Sequence, residues 1–320
     1  MTALLGLLLL GALLATAGPL LLTRAGWVQR EPVLALLVWQ CLVIAVLLCC
    51  LLSLLLAVSA SLPQVRALLF TGAPHGVEAA YGLAGAEGWG RLCAALLALG
   101  GLRTALSLTR EVRAARALRD HRHAELAHRS PELPASIGDS PARRERLVVL
   151  ENVQPQAWSL PGPQSRLVVT TGALSRLTDR ELAAVLSHER GHVRARHHWL
   201  AQCAQALAAG FPGVGVFSAF RDQVGELVEL AADDRAARRH GRLTTAHAMV
   251  ELNTERGVFG NCPGQGAPGQ LAQAPRRVDR LLVGAPRLPV TGRLRLTALA
   301  LAAPVTVLLI AALPGLTALR

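Results

Sequence analysis

The 320-residue sequence contains no lysine, and all 33 of its basic side chains are arginine. That bias alone names no partner. Aromatic residues make up only 3% of the chain, so a surface on which bases stack is missing, and no helix-turn-helix or basic zipper is legible. Direct binding to nucleic acid is therefore not expected, despite a formal charge of +12 and an isoelectric point near 11.2. Cysteine is equally uninformative as a scaffold. Cys41, Cys49, Cys50 and Cys93 lie in or beside apolar stretches, and Cys203 and Cys262 stand alone. This excludes a disulfide framework and a CxxC zinc knuckle, and suits a reducing compartment. Charged residues are sparse, 17% against 52% hydrophobic, which excludes a disordered, solvated chain.

What is abundant is Leu, Ala and Val, with a mean hydropathy of +0.38, the composition of lipid-facing helices. Residues 3–22 carry no charge and are long enough to cross a hydrocarbon core. Ala15-Thr16-Ala17 resembles a signal-peptide cleavage site, but no positive region precedes it and the apolar run continues through Leu22. Residues 33–62 form the strongest span. Residues 92–108 form a third, weakened by Gly100, Gly101 and Arg103, and 296–319 a fourth, with Pro304 and Pro314. Prolines are tolerated in membrane helices because neighbours satisfy the freed carbonyls.

Four crossings put the stretch after the third span on the same side as the loop holding Arg24 and Arg30. Arg110, Arg113, Arg116, Arg119 and Arg122 crowd just beyond that span, whereas Arg66 faces Glu78 and Glu87 in the preceding loop. The positive-inside rule then sets the central domain in the cytoplasm and both termini outside. The expected organisation is a membrane region over 1–108, a catalytic domain over 109–290 and a C-terminal membrane segment over 291–320.

The central domain begins with an Arg-rich helix and a Pro- and Ser-containing linker to about residue 140. Arg146 to Leu150 and Arg166 to Thr171 then read as short strands, with a turn at Pro161-Gly162-Pro163. Thr178-Asp-Arg-Glu181 is a capping box that starts a helix. That helix contains His188-Glu189-Arg190-Gly191-His192. Histidines at i and i+4 share one face, so both rings can bind one Zn²⁺ while the Glu between them acts as a base toward water. His197 and His198 are expected further along the same helix, as surface or interface groups.

A catalytic zinc needs a third protein ligand. Glu226, Glu229, Asp233 and Asp234 are candidates on a second helix, expected over 223–239. Glu229 and Asp233 share a face, so one can bind metal while the other orients a histidine. Glu226 and Asp234 read better as solvated or paired with arginine. The apolar stretch 199–220 is not expected to cross the bilayer. If it did, roughly 30 Å of hydrocarbon would separate the histidines from Glu229. Gly210, Pro212, Gly213 and Gly215 instead suggest two helices joined by a turn, lying against the membrane.

This ordered set resembles the membrane zinc metallopeptidases of the M48 (HtpX-like) and M56 (BlaR/MecR-like) families. The resemblance spans about 147–282 and rests on Gln156-Ala-Trp-Ser-Leu-Pro-Gly162, Val168-Val-Thr-Thr-Gly-Ala-Leu174, the segment Leu177 to His192, Glu229-Leu-Ala-Ala-Asp233 and Arg277-Val-Asp-Arg-Leu281. It implies a mostly α integral membrane protein, about four transmembrane helices with a gluzincin-like α+β zinc metalloprotease domain. It also implies His188, His192 and Glu229 as ligands of one Zn²⁺, Glu189 as general base and Asp233 as the partner of a ligand histidine. Ala157, Trp158, Ser159 and Leu160 would form an edge strand that pairs with substrate backbone, and Arg277 would stabilise the oxyanion.

Ala274-Pro275 stands where M48 members usually carry His-Pro, which points toward small M56 members. The chain ends at Arg320, so no penicillin-binding sensor domain and no direct β-lactam sensing are expected. The expected activity is zinc-dependent endoproteolysis of protein or peptide substrates, by the M56 resemblance a transcriptional repressor in signalling. An M48-like quality-control protease, or a receptor or scaffold with a non-catalytic zinc, are the alternatives. The oligomeric state is not legible.

Overall fold

The computed structural model describes residues 2–72, 74, 76–82, 87–129, 146–160, 166–253, 274–284 and 286–318. The linker to residue 140, the 161–163 turn and Cys262 lie outside them. The elements run α1 (Thr2–Arg24), α2 (Pro32–Ser61), α3 (Pro63–Phe70), α4 (Val77–Ala80), α5 (Glu87–Arg129), β1 (Arg146–Leu150), β2 (Ala157–Leu160), β3 (Arg166–Thr170), α6 (Thr171–Arg176), α7 (Asp179–Arg194), α8 (His197–Gly210), α9 (Gly215–His240), α10 (Arg242–Asn253), α11 (Ala274–Val283) and α12 (Val290–Ala318). They fall into two compact units. One gathers Met1–Thr109, Ala204–Asp222 and Leu288–Arg320, the other Arg110–Cys203 and Gln223–Arg287.

Among the described residues four segments are long and apolar enough to cross a membrane: Ala3–Arg24, Pro32–Ser61 and Val290–Ala318 in the first unit, and Gly88–Leu118, which begins in the first unit and ends in the second. The last of these is longer than the sequence suggests. No breaker follows residue 108, so the apolar stretch and the Arg-rich stretch form one 43-residue helix, about 65 Å at 1.5 Å per residue. Leu7 of α1, Ala45 and Cys49 of α2 and Val307 of α12 form a dry contact, flanked by Leu10, Leu14, Leu48 and Ala303. Glu31 ties the start of α2 to the chain before α12, accepting from the Leu288 N–H at 3.2 Å and facing Arg293 Nε at 3.7 Å. The 199–220 stretch is two helices joined by a turn, as expected, with Phe211 stacked on Phe217 at 5.0 Å.

The second unit is built on a three-stranded sheet of order β1-β3-β2. β1 runs parallel to β3, pairing Val148 with Val168, and β2 runs antiparallel to it, pairing Ser159 with Leu167. β2 is thus an edge strand. Side chains alternate across the sheet. Trp158 and Leu160 pack with Leu150 and Val168 on one face. On the other, Ala157 and Val169 join Val185 of α7, Met249 and Leu252 of α10 and Leu281 of α11.

Thr170 ends β3 and caps α6, accepting from Ala173 N at 3.2 Å and donating to Gln154 O at 2.7 Å. Gly172 follows where the chain passes close under Val153. A Cβ there would meet the Val153 carbonyl oxygen at 2.0 Å, so only glycine fits. The expected capping box is present: Glu181 N donates to Thr178 Oγ1 and Thr178 N to Glu181 Oε2 at 2.8 Å. Glu181 also accepts from His247 Nδ1 of α10 at 2.5 Å, which joins the start of α7 to α10.

Candidate metal centre

α7 buries one face against the sheet and α10, and its next turn brings His188, Glu189 and His192 toward α9. The approach is close at Gly191, where a Cβ would stand 3.3 Å from Arg235 Cδ and 3.5 Å from Ala232 Cα. Among the described residues, His188, His192 and Glu229 each offer a donor atom within 4.8 Å of the others. His188 Nε2 lies 3.0 Å from His192 Nε2 and 3.6 Å from Glu229 Oε2, and His192 Nε2 lies 3.5 Å from Glu229 Oε1. Two Nε2 atoms and one carboxylate therefore converge.

The surroundings orient these donors. Asp233, one turn after Glu229, places Oδ1 3.0 Å from His188 Nδ1, which turns Nε2 toward the shared point. Arg277 of α11 is buried and forks onto Asp233, with Nε to Oδ2 at 2.8 Å and Nη2 to Oδ1 at 2.7 Å, while its Nη1 lies 3.0 Å from Glu229 Oε2. Glu189 is buried beside the edge strand and accepts from the Ser159 backbone N–H and hydroxyl. Of the four expected substrate-strand residues, Ser159 alone reaches this base. Ala157, Trp158 and Leu160 send their side chains into the two cores.

Charge follows from these contacts. Burial alone would raise the Glu229 carboxyl, but Arg277, then His192 and His188, hold it at about 2. Asp233 is likewise penalised by burial yet kept far below the carboxylate range by Arg277. Burial opposes a charge on His188, but hydrogen bonds to Asp233 and Glu229 carry it up to about 9. Burial drives His192 down to about 3 and raises Glu189. The two Nε2 atoms face each other at 3.0 Å with Glu229 beside them, and a divalent cation binds such a set by displacing protons from its ligands. A set of two imidazoles and one carboxylate suits Zn²⁺ and leaves a coordination position open.

The expected outer groups separate. Asp234 pairs with Arg280 at 2.8 Å, as anticipated for a charge outside the site, and Glu226 stands outside the cluster. His198 packs its ring at 5.9 Å from Trp199. His197 differs from expectation, for it is buried rather than at the surface and begins a new helix rather than continuing α7. Arg196, at φ 52°, occupies the left-handed region and turns the chain after α7. His197 Nδ1 thereby comes within 3.1 Å of His192 Nδ1. Its i+5 spacing, off the ligand face of a continuous helix, gave no signal of this. Ser159 was found as part of the edge strand, but its bond to Glu189 was not.

The profile of peptidase family M48 matches residues 120–256, a stretch containing the HExxH segment, Glu229 and Asp233. The match supports the M48 family and hence a metallopeptidase, in a family that depends on zinc. It stops short of Arg277 and of Ala274-Pro275, on which the closeness to M56 rested. No solved structure matches the chain.

Proposed function

We propose that the chain is a membrane-anchored zinc metalloendopeptidase whose domain around 109–290 acts on protein substrates from the cytoplasmic side. The observation that supports it most is the convergence of His188, His192 and Glu229 within 4.8 Å, with the buried Glu189 carboxyl next to them in the chain. His188 Nε2, His192 Nε2 and Glu229 would hold Zn²⁺, which when bound supplies Lewis acidity toward a peptide carbonyl. Glu189 takes a proton from the attacking water and returns it to the leaving amine. Burial raises its carboxyl and so strengthens it as a base. Among the described strands β2 pairs with β3 alone, so its other side would take an extended substrate, and Ser159 on that strand aligns Glu189. Arg277 holds Glu229 and Asp233 in place, a role that fits its three contacts better than stabilising an oxyanion. The arginines after residue 109 support the cytoplasmic orientation.

Regulatory cleavage of a repressor is the substrate reading that the M56-like features support, and narrow specificity is its signature. The experiment is zinc content and casein cleavage of the detergent-solubilised chain as wild type, Glu189→Gln and Glu229→Ala. One zinc retained in Glu189→Gln, none in Glu229→Ala, and cleavage by wild type alone would bear the assignment out. Wild type without zinc would refute it.

A further inference from the structure

We propose that His197 is the positioning residue of His192, accepting its Nδ1–H and so presenting Nε2 as the metal-binding atom. The inference rests on the reading of His188, His192 and Glu229 as zinc ligands and goes beyond it, since no part of the HExxH pattern reaches His197.

Hydrogen counting along a row of nitrogens gives the assignment. His192 Nε2 lies 3.0 Å from His188 Nε2 and 3.5 Å from Glu229 Oε1, so it faces the shared point and must keep its lone pair there to ligate. A neutral imidazole carries one N–H, so that of His192 sits on Nδ1. That nitrogen is 3.1 Å from His197 Nδ1, and the two rings meet edge to face at 4.9 Å with an interplanar angle of 85°. His197 Nδ1 accepts, and its own proton is carried on Nε2. The ring is 7% exposed, so water competes poorly for this bond.

A ligand histidine without a partner for its second nitrogen is free to rotate and to change tautomer. His188 has Asp233 in that role at 3.0 Å. His192 has no carboxylate on its Nδ1 among the described contacts, and His197 supplies a neutral acceptor instead. The two ligand rings are thus braced differently, one by an anion tied to Arg277 and one by an imidazole. The turn at Arg196 is what allows it. On a continuous helix a residue five positions on points about 140° away, whereas the left-handed Arg196 brings His197 back over His192.

The test compares zinc affinity, measured by chelator competition on the full detergent-solubilised chain, for wild type, His197→Asn and His197→Leu. Asparagine can place an oxygen acceptor near the position of Nδ1; leucine fills similar volume without one. The expected result is zinc binding weakened about ten- to a hundredfold in His197→Leu and largely restored in His197→Asn, with the metal-free unfolding temperatures of both alike. Leucine binding zinc as wild type does would overturn the proposal. Equal weakening in both variants would also overturn it, since packing rather than the acceptor would then be responsible. If His197→Leu is not recovered folded, His197→Ala takes its place in the same comparison. A wild-type chain that binds no zinc would refute the metal centre itself, an outcome distinct from either.

Discussion

Replacing Arg277 by leucine removes a buried guanidinium that faces two buried carboxylates. In the wild type its guanidinium lies 2.7 and 2.8 Å from Asp233 oxygens and 3.0 Å from Glu229. Breaking a buried pair costs about 3–5 kcal/mol, because the partner charge is left unpaired in a medium that solvates it poorly. The loss should depend on pH with a definite sign. Glu229 and Asp233 are depressed in the folded chain, so their pairing stabilises above the ordinary carboxylate pKa of about 4. That contribution fades as pH falls through the folded value, about 2 for Glu229. In Arg277→Leu burial dominates, both carboxyls rise, and the variant is weakest near neutral pH and recovers on acidification toward pH 5. Saturating zinc should reduce the deficit, since the bound cation then faces Glu229. Arg277→Lys should rescue little, because an ammonium cannot fork onto Asp233. The assay is urea unfolding of the solubilised chain between pH 5 and 8, with and without zinc. A deficit under about 1 kcal/mol, the range of an exposed pair, or one that grows on acidification, would refute the reasoning.

Thr178→Ala removes the cap of α7 and should cost about 1 kcal/mol of stability, read from the urea midpoint. Because Glu181 is held below its usual pKa, against burial, by its bonds to Thr178 and His247, this cap stabilises above the ordinary carboxylate pKa and is lost as pH falls through the folded value. The Thr178→Ala deficit should therefore shrink in acid. Gly172→Ala places a Cβ against the Val153 carbonyl and should leave no folded catalytic unit, which limited proteolysis would reveal. Removing zinc from wild type with a chelator should lower the unfolding free energy by about 4 kcal/mol if free zinc stood at a thousand times its Kd, and should leave Glu229→Ala unaffected.

The membrane elements were legible because nothing competes with their signal. Uninterrupted runs of Leu, Ala and Val leave few alternatives to a long helix, and Pro304 lies inside α12 as foreseen. The helix that contains residues 92–108 runs on to Arg129 for a related reason. A change from apolar to Arg-rich composition marks a change of solvent, and helix geometry continues through it because leucine and arginine are both good helix formers. β1 and β3 were found from their valine-rich runs, β2 only through the family resemblance, and Thr178 from the capping box.

The site divides along a similar line. His188, Glu189 and His192 declare themselves because their chemistry and their helical spacing coincide, and Glu229 and Asp233 because they repeat the i, i+4 relation on a second helix. Arg277 and His197 act across breaks in the chain, where spacing carries no geometric meaning. Arg277 comes from α11, 44 residues beyond Asp233. His197 is only five residues from His192, yet a single left-handed residue, Arg196, separates a surface position from a buried one. Arginine has no intrinsic preference for that backbone region, so nothing local in the sequence announces the turn. The packing around it must hold it there, and the contact between the His192 and His197 rings is among the interactions that turn makes possible.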